Sequence, residues 1–174
     1  MSVYLITGAM AAGKSTVADL LARRFDRGVH VRGDVFRRMV VSGRAEMTAD
    51  AGPEALRQLA LRYRLAGMVA DEYASAGFIV VVQDVSLGPA FDDFVDSVRT
   101  RPRYAIVLAP SAGALAARDA RRDKTGYGDG WTPAAMDEML RTETSRRGLW
   151  LDTTTLTPDQ TVDAILEQRA AALT

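Results

Sequence analysis

One of the chain's two lysines, Lys14, stands in "VYLITGAMAAGKSTVADLLARRF" (Val3 to Phe25), between a glycine and two hydroxyl residues. The segment from Gly8 reads G-x-x-x-x-G-K-[S/T], ending in Gly13, Lys14 and Ser15. A strand ending in such a glycine turn and opening a helix is built to hold phosphate. The backbone N–H groups of Gly8, Ala9, Met10, Ala11, Ala12 and Gly13 can curl around it, and the helix N-terminus adds partial positive charge. Lys14 then reaches the β/γ oxygens of a nucleoside triphosphate as a compact charge, Ser15 can ligate Mg²⁺, and Thr16 can add a contact to the α-phosphate. By composition alone a chance match is expected in about two chains of this length in a thousand, before the strand and helix context is counted.

Two carboxylates stand where an α/β sheet places ligands, off the carboxyl ends of strands. In "VRGDVFRRM", Asp34 lies just beyond one strand, where it can accept the proton of an attacking hydroxyl; it could equally cap the next helix and pair with Arg37 or Arg38. In "FIVVVQDVSLG", Asp84 ends another strand, the place for a carboxylate that holds Mg²⁺ through water opposite Ser15, or one that merely caps the turn. Its neighbour Gln83 is polar in an apolar run and can face an acceptor, as can Arg37. In "AARDARRDKTGYGDGW", Arg118, Arg121 and Arg122 recur at helical spacing before a glycine-punctuated loop. That pattern reads as a lid over about 116–131 whose guanidiniums, Lys124 among the possible additions, close over phosphoryl charge, or as a solvated helix face paired with Asp119 and Asp123. Tyr127 and Trp131 in that loop could touch a base or acceptor ring. His30, the sole histidine, lies inside a strand and reads as packed rather than catalytic.

The elements that position these groups alternate strand and helix. Strands are expected at Val3 to Thr7, Val29 to Arg32, Phe78 to Val82, Tyr104 to Ala109 and Leu149 to Asp152. The unbroken apolar run of Phe78 to Val82 marks it as the expected sheet centre. Helices are expected after the glycine turn, over Val35 to Val41, and over Pro53 to Ala76 with Leu56, Leu59, Ala60, Tyr63, Gly67, Ala70 and Ala74 on the face toward the sheet. Thr132-Pro133 and Thr157-Pro158 start two more, the second with Gln160 completing a capping box. Met136, Met139 and Leu140 form a core stripe. Together these describe a three-layer α/β fold.

Composition narrows the functions. The 174 residues suit one domain, 1–174. The 22 basic and 22 acidic side chains cancel and are not segregated, which argues against a nucleic-acid groove, a polynucleotide 5′-kinase and an acidic membrane surface. A small molecule is the expected partner. With no Cys there is no disulfide framework, thiolate metal site or Cys nucleophile. No apolar stretch approaches the roughly 20 residues that span a bilayer, so a cytoplasmic protein, monomer or homodimer, is expected. The chain has no Asn, hence no N-K-x-D guanine-reading segment, which removes a regulatory GTPase. What remains is phosphoryl transfer to an acceptor, or a nucleotide-switched ATPase or regulatory module without one.

The set "GAMAAGKST", "RGDVFRRM", "VVVQDVSLG" and "ARDARRDKTGYG" resembles the small P-loop kinases and phosphotransferases related to chloramphenicol phosphotransferase, with more distant similarity to gluconate and nucleotide kinases, over nearly the whole chain. The resemblance implies a P-loop NTPase fold with a five-stranded parallel sheet in the order 2-3-1-4-5. It also implies an ATP site on the glycine turn, a base at Asp34, arginines of a helical lid in the Arg118 to Arg122 segment, and adenine beside Thr153 to Thr157. The helices after Asp34 and around Tyr63 do not read as a chloramphenicol-specific pocket. The expectation is a Mg²⁺-ATP-dependent kinase acting on a hydroxyl of an antibiotic, a nucleoside-like compound, a sugar or a metabolite alcohol.

Overall fold

In the computed structural model, which describes residues 1–121, 127–128 and 130–174, five short strands alternate with helices along the chain. They are β1 (Val3–Gly8), β2 (Gly28–Arg32), β3 (Ile79–Gln83), β4 (Arg103–Leu108) and β5 (Leu149–Leu151). All pairings are parallel and the order is β2-β3-β1-β4-β5. Parallel neighbours need crossovers, and the helices provide them. They are α1 (Lys14–Arg23), α2 (Gly33–Met39), α3 (Pro53–Ser75), α4 (Ala90–Asp96), α5 (Ala112–Asp119), α6 (Pro133–Glu143) and α7 (Pro158–Glu167).

The sheet divides the core in two. On one face Tyr4, Ile6, Val81 and Ile106 meet Val17 and Leu21 of α1 and Ile165 of α7; on the other Val3, Leu5, Val80 and Val82 meet Tyr63, Ala66 and Ala70 of α3 and Phe94 of α4. Each fully buried large side chain contributes about 1.5–3 kcal/mol. Tyr4 stacks on Tyr104, with ring centroids 4.7 Å apart.

The central strand is β1, and the expectation that Phe78 to Val82 holds that place is corrected. An unbroken apolar run reports that both faces of a strand are covered, which is true of β3; it does not report how many strands lie to either side. The helix after the second strand begins at Gly33, earlier than Val35, and ends at Met39. Helix α3 buries Tyr63, Gly67, Ala70 and Ala74 as expected, together with Ala55 and Ala66, whereas Leu56 is 53% exposed and Leu59 and Ala60 also line a cavity. The N-caps at Thr132 and Thr157 form as expected, the second as a full capping box with Gln160. Among the described residues no helix is long and apolar enough to cross a membrane.

Candidate active site

The segment joining β1 to α1 turns on two left-handed residues, Ala11 (φ 61°) and Gly13 (φ 93°). Gly13 is the N-cap of α1, and no side chain caps the helix there. Its first N–H groups therefore face outward with the positive end of the helix dipole. Lys14 is 8% exposed and donates from Nζ to the carbonyls of Gly8 (3.0 Å) and Ala9 (2.8 Å). The ammonium is thus held across its own loop, while Ser15 and Thr16 are exposed at the helix start.

A cavity of about 1500 Å³ opens from this loop and joins most of the sequence-predicted site residues: Met10 through Thr16, Asp34, Arg37, Gln83, Asp84 and Arg118 all line it. Arg118, at the end of α5, donates from Nη2 to the carbonyl of Thr153 (2.6 Å) and from Nη1 to that of Ala12 (3.5 Å), bridging the glycine turn to the loop after β5. Thr153 lines the same cavity, and its Oγ1 is buried without a hydrogen-bond partner among the described residues. Tyr127 donates its hydroxyl to the Met10 carbonyl (2.6 Å). An uncapped helix N-terminus, an inward ammonium, a bridging guanidinium and an unpartnered buried hydroxyl fit a nucleotide laid along this wall. Helix α5 stops at Asp119, so Arg121 lies beyond it, exposed, and does not continue the expected helical face. Arg122, Asp123, Lys124 and the middle of the expected lid lie outside the described residues.

Asp34, half exposed on the same cavity, is both the expected helix-start carboxylate and an ion-pair partner. Its Oδ1 accepts from Arg37 Nε (3.0 Å) and its Oδ2 pairs with Arg38 Nε (3.1 Å). Arg37 reaches on to Glu46.

Asp84 is 3% exposed and its partner was not anticipated. Arg62 of α3 grips it through both carboxylate oxygens, with Nε to Oδ2 at 2.6 Å and Nη2 toward Oδ1, and Oδ1 also accepts from the backbone N–H of Val85 (2.7 Å). A Cβ on Gly33 would stand 1.8 Å from Oδ2, so the first residue of α2 is glycine because the carboxylate occupies that space. The turn after β3 is fixed from two sides. Tyr63 donates its hydroxyl to the Val85 carbonyl (2.9 Å), and Thr7 Oγ1 donates to the Ser86 carbonyl (2.8 Å) while accepting from the Ser86 N–H (2.9 Å). Burial pushes the Tyr63 hydroxyl well above the usual phenol range, so it remains a donor. Among the described residues no group of three or more His, Asp or Glu side chains is placed to hold a metal ion.

Sequence reading also missed the wall formed by Met47, Leu59, Leu87, Met136 and Met139. Met136 and Leu140 are buried in the core as expected, with Met139 packed against it, and both methionines also reach the cavity, which their helical spacing alone does not reveal.

No curated protein matches the chain. Among solved structures it is similar to a sugar kinase from Janibacter sp. HTCC2649 (TM-score 0.71, 16% identity, covering 99% of this chain and 96% of that one). It is similar also to the APS kinase of Mycobacterium tuberculosis in complex with AMPPNP and APS (TM-score 0.67, 18% identity, 97% and 97%). A gluconokinase from Sinorhizobium meliloti 1021 is a third (TM-score 0.63, 20% identity, 98% and 93%). The likeness is one of fold, and with the strand order it identifies the P-loop NTPase architecture. Residues 3–146 match the AAA domain family, and the chain belongs to that family.

Proposed function

We propose that the protein is an ATP-dependent kinase that transfers the γ-phosphoryl group to a hydroxyl of a small molecule. The observation that carries this reading is that Lys14 and the uncapped start of α1 share one cavity of about 1500 Å³ with the carboxylate of Asp34. The fold likeness to three small-molecule kinases supports it.

Lys14 and the amides of the glycine turn bind the β/γ-phosphates, and Thr16 adds the α-phosphate. Arg118 stabilises charge on the transferring group from its position beside Ala12. Asp34 takes the acceptor proton; Arg37 and Arg38 hold its carboxylate on the cavity wall. Gln83 and Arg37 orient the acceptor. Ser15 and, through water, Asp84, whose oxygens already serve Arg62, would hold Mg²⁺, which would supply charge neutralisation for the phosphates. The protein works in the cytoplasm on a soluble alcohol, as a monomer or homodimer, and residues 1–174 act as one domain with its lid near 116–131.

The test is a coupled ADP-release assay with Mg²⁺-ATP against hydroxyl-bearing antibiotics, nucleosides and sugars, with mass spectrometry for one added phosphoryl group. Asp34→Asn is expected to lower transfer by at least about 10²-fold while ATP affinity stays within about twofold. Unchanged transfer removes Asp34 from the mechanism. A nucleotide-switched module has one observation in its favour, the exposed apolar side chains Met39, Val41 and Met68 on and beside α2 and α3. It requires hydrolysis indifferent to every alcohol offered.

A further inference from the structure

The outer side of α3 takes no part in the cavity. Leu56, Leu59, Ala60, Arg62 and Tyr63 line the cavity from one side of the helix. At 3.6 residues per turn the opposite side carries Leu61, Arg64, Leu65, Met68, Glu72 and Ser75. Leu65 is partly buried and the others are exposed, Met68 to 63%. Leu61 and Leu65 continue into a shallow groove with Phe36 and Val40, so apolar surface runs from α3 toward the end of α2. Contiguous apolar surface left open in this way marks a contact site.

The charges on this face say what covers it. Of the six charged side chains of α3, four are engaged within the chain: Glu54 with Arg57, Arg62 with Asp84, and Asp71 with the backbone N–H groups of Arg99 and Thr100. Among the described residues the remaining two, Arg64 and Glu72, make no ion pair. They are of opposite sign and stand four residues to either side of Met68, about 12 Å apart along the helix. A twofold axis through Met68 that sets two copies of α3 antiparallel brings Arg64 of each copy level with the partner's Glu72. It also brings Leu61 level with the partner's Ser75, a small residue that leaves room for it. A parallel pairing would oppose like charges instead.

We propose that the protein self-associates as a twofold dimer through the outer faces of α3, with Met68 at the axis and an Arg64–Glu72 ion pair to either side of it. Such an interface is self-complementary, each copy supplying the charge that the other lacks. The pairing leaves the cavity clear on the far side of the helix, and it holds whether or not the protein is a kinase.

Sedimentation velocity on the full chain from about 1 to 100 μM is the first measurement, and a dimer is expected within that range. A monomer throughout overturns the proposal. Arg64→Glu and Glu72→Arg each set like charges against one another at both contacts, and each is expected to weaken the dimer at least about tenfold. A variant dimer as tight as the parent refutes this face as the interface. Mixing the two variants in equal amounts returns opposite signs to both contacts between unlike chains. Native mass spectrometry should then show a heterodimer within about threefold of the parent affinity, which also shows that both variants are folded. A mixture that stays monomeric overturns the antiparallel pairing.

Discussion

Arg62 and Asp84 are mutually dependent. Their side chains are 13% and 1% exposed, so removing one partner leaves the other buried and charged. Breaking such a pair typically costs about 3–5 kcal/mol. Arg62→Met is expected to lower the midpoint of thermal unfolding by about 6–20 °C, whereas Arg62→Lys, which keeps the charge and loses the two-pronged grip, should lose less than half of that. Differential scanning calorimetry decides it, and a Met variant as stable as the parent would show that the pair contributes nothing net. That Lys14 and Asp34 would border one cavity was readable, because a spacing rule and a strand end point to each position. Arg62 was not. It is one of several arginines along α3, and what distinguishes it is a partner 22 residues away on another element.

The contact between α2 and the turn after β3 is set by Gly33. Gly33→Ala places a methyl group where Asp84 Oδ2 now lies, and overpacking of this kind costs about 1–3 kcal/mol. The expected outcome is a fall of about 2–10 °C in the unfolding midpoint, together with weaker nucleotide-dependent activity as the Arg62–Asp84 geometry shifts. A variant that melts with the parent would mean that the strand end yields freely. Strand and helix positions were readable to within a few residues because short apolar runs and proline-led caps are local signals. The split along α3 was not readable, because its periodicity marks a stripe without saying that Leu59 and Ala60 border a cavity while Tyr63, Ala66 and Ala70 meet the sheet. The rank of β3 in the sheet was likewise invisible to its own composition.

For the molecule as a whole, equal numbers of acidic and basic side chains leave pH to act through individual groups. His30, within β2, has a folded-state pKa held below the ordinary value of 6.5, mainly by burial and then by Arg32, against a weaker opposing pull from Asp19. The unfolded chain therefore binds a proton at a pH where the native chain does not. Its contribution is full above about pH 6.5 and is lost as pH falls through that value toward the depressed native pKa. Thermal melts at pH 7.5 and 5.5 should show a lower midpoint at the acid end, and His30→Gln should flatten the difference. A His30→Gln variant with the same pH slope would assign the effect elsewhere. Asp19, held below the usual carboxylate range chiefly by Arg23, titrates beneath this window.

Two contacts near the cavity are secured very differently. The Thr7 hydroxyl both gives to and takes from the Ser86 backbone, locking the end of β1 to the turn that carries Asp84. On the cavity wall Trp131 meets the segment around Met47 through one indole N–H. Parting that contact forfeits a hydrogen bond of about 1 kcal/mol, much of it recovered from water. The turn that carries Asp84 is therefore pinned at two points by a single hydroxyl, while the Trp131 side of the cavity is joined to the Met47 segment at one.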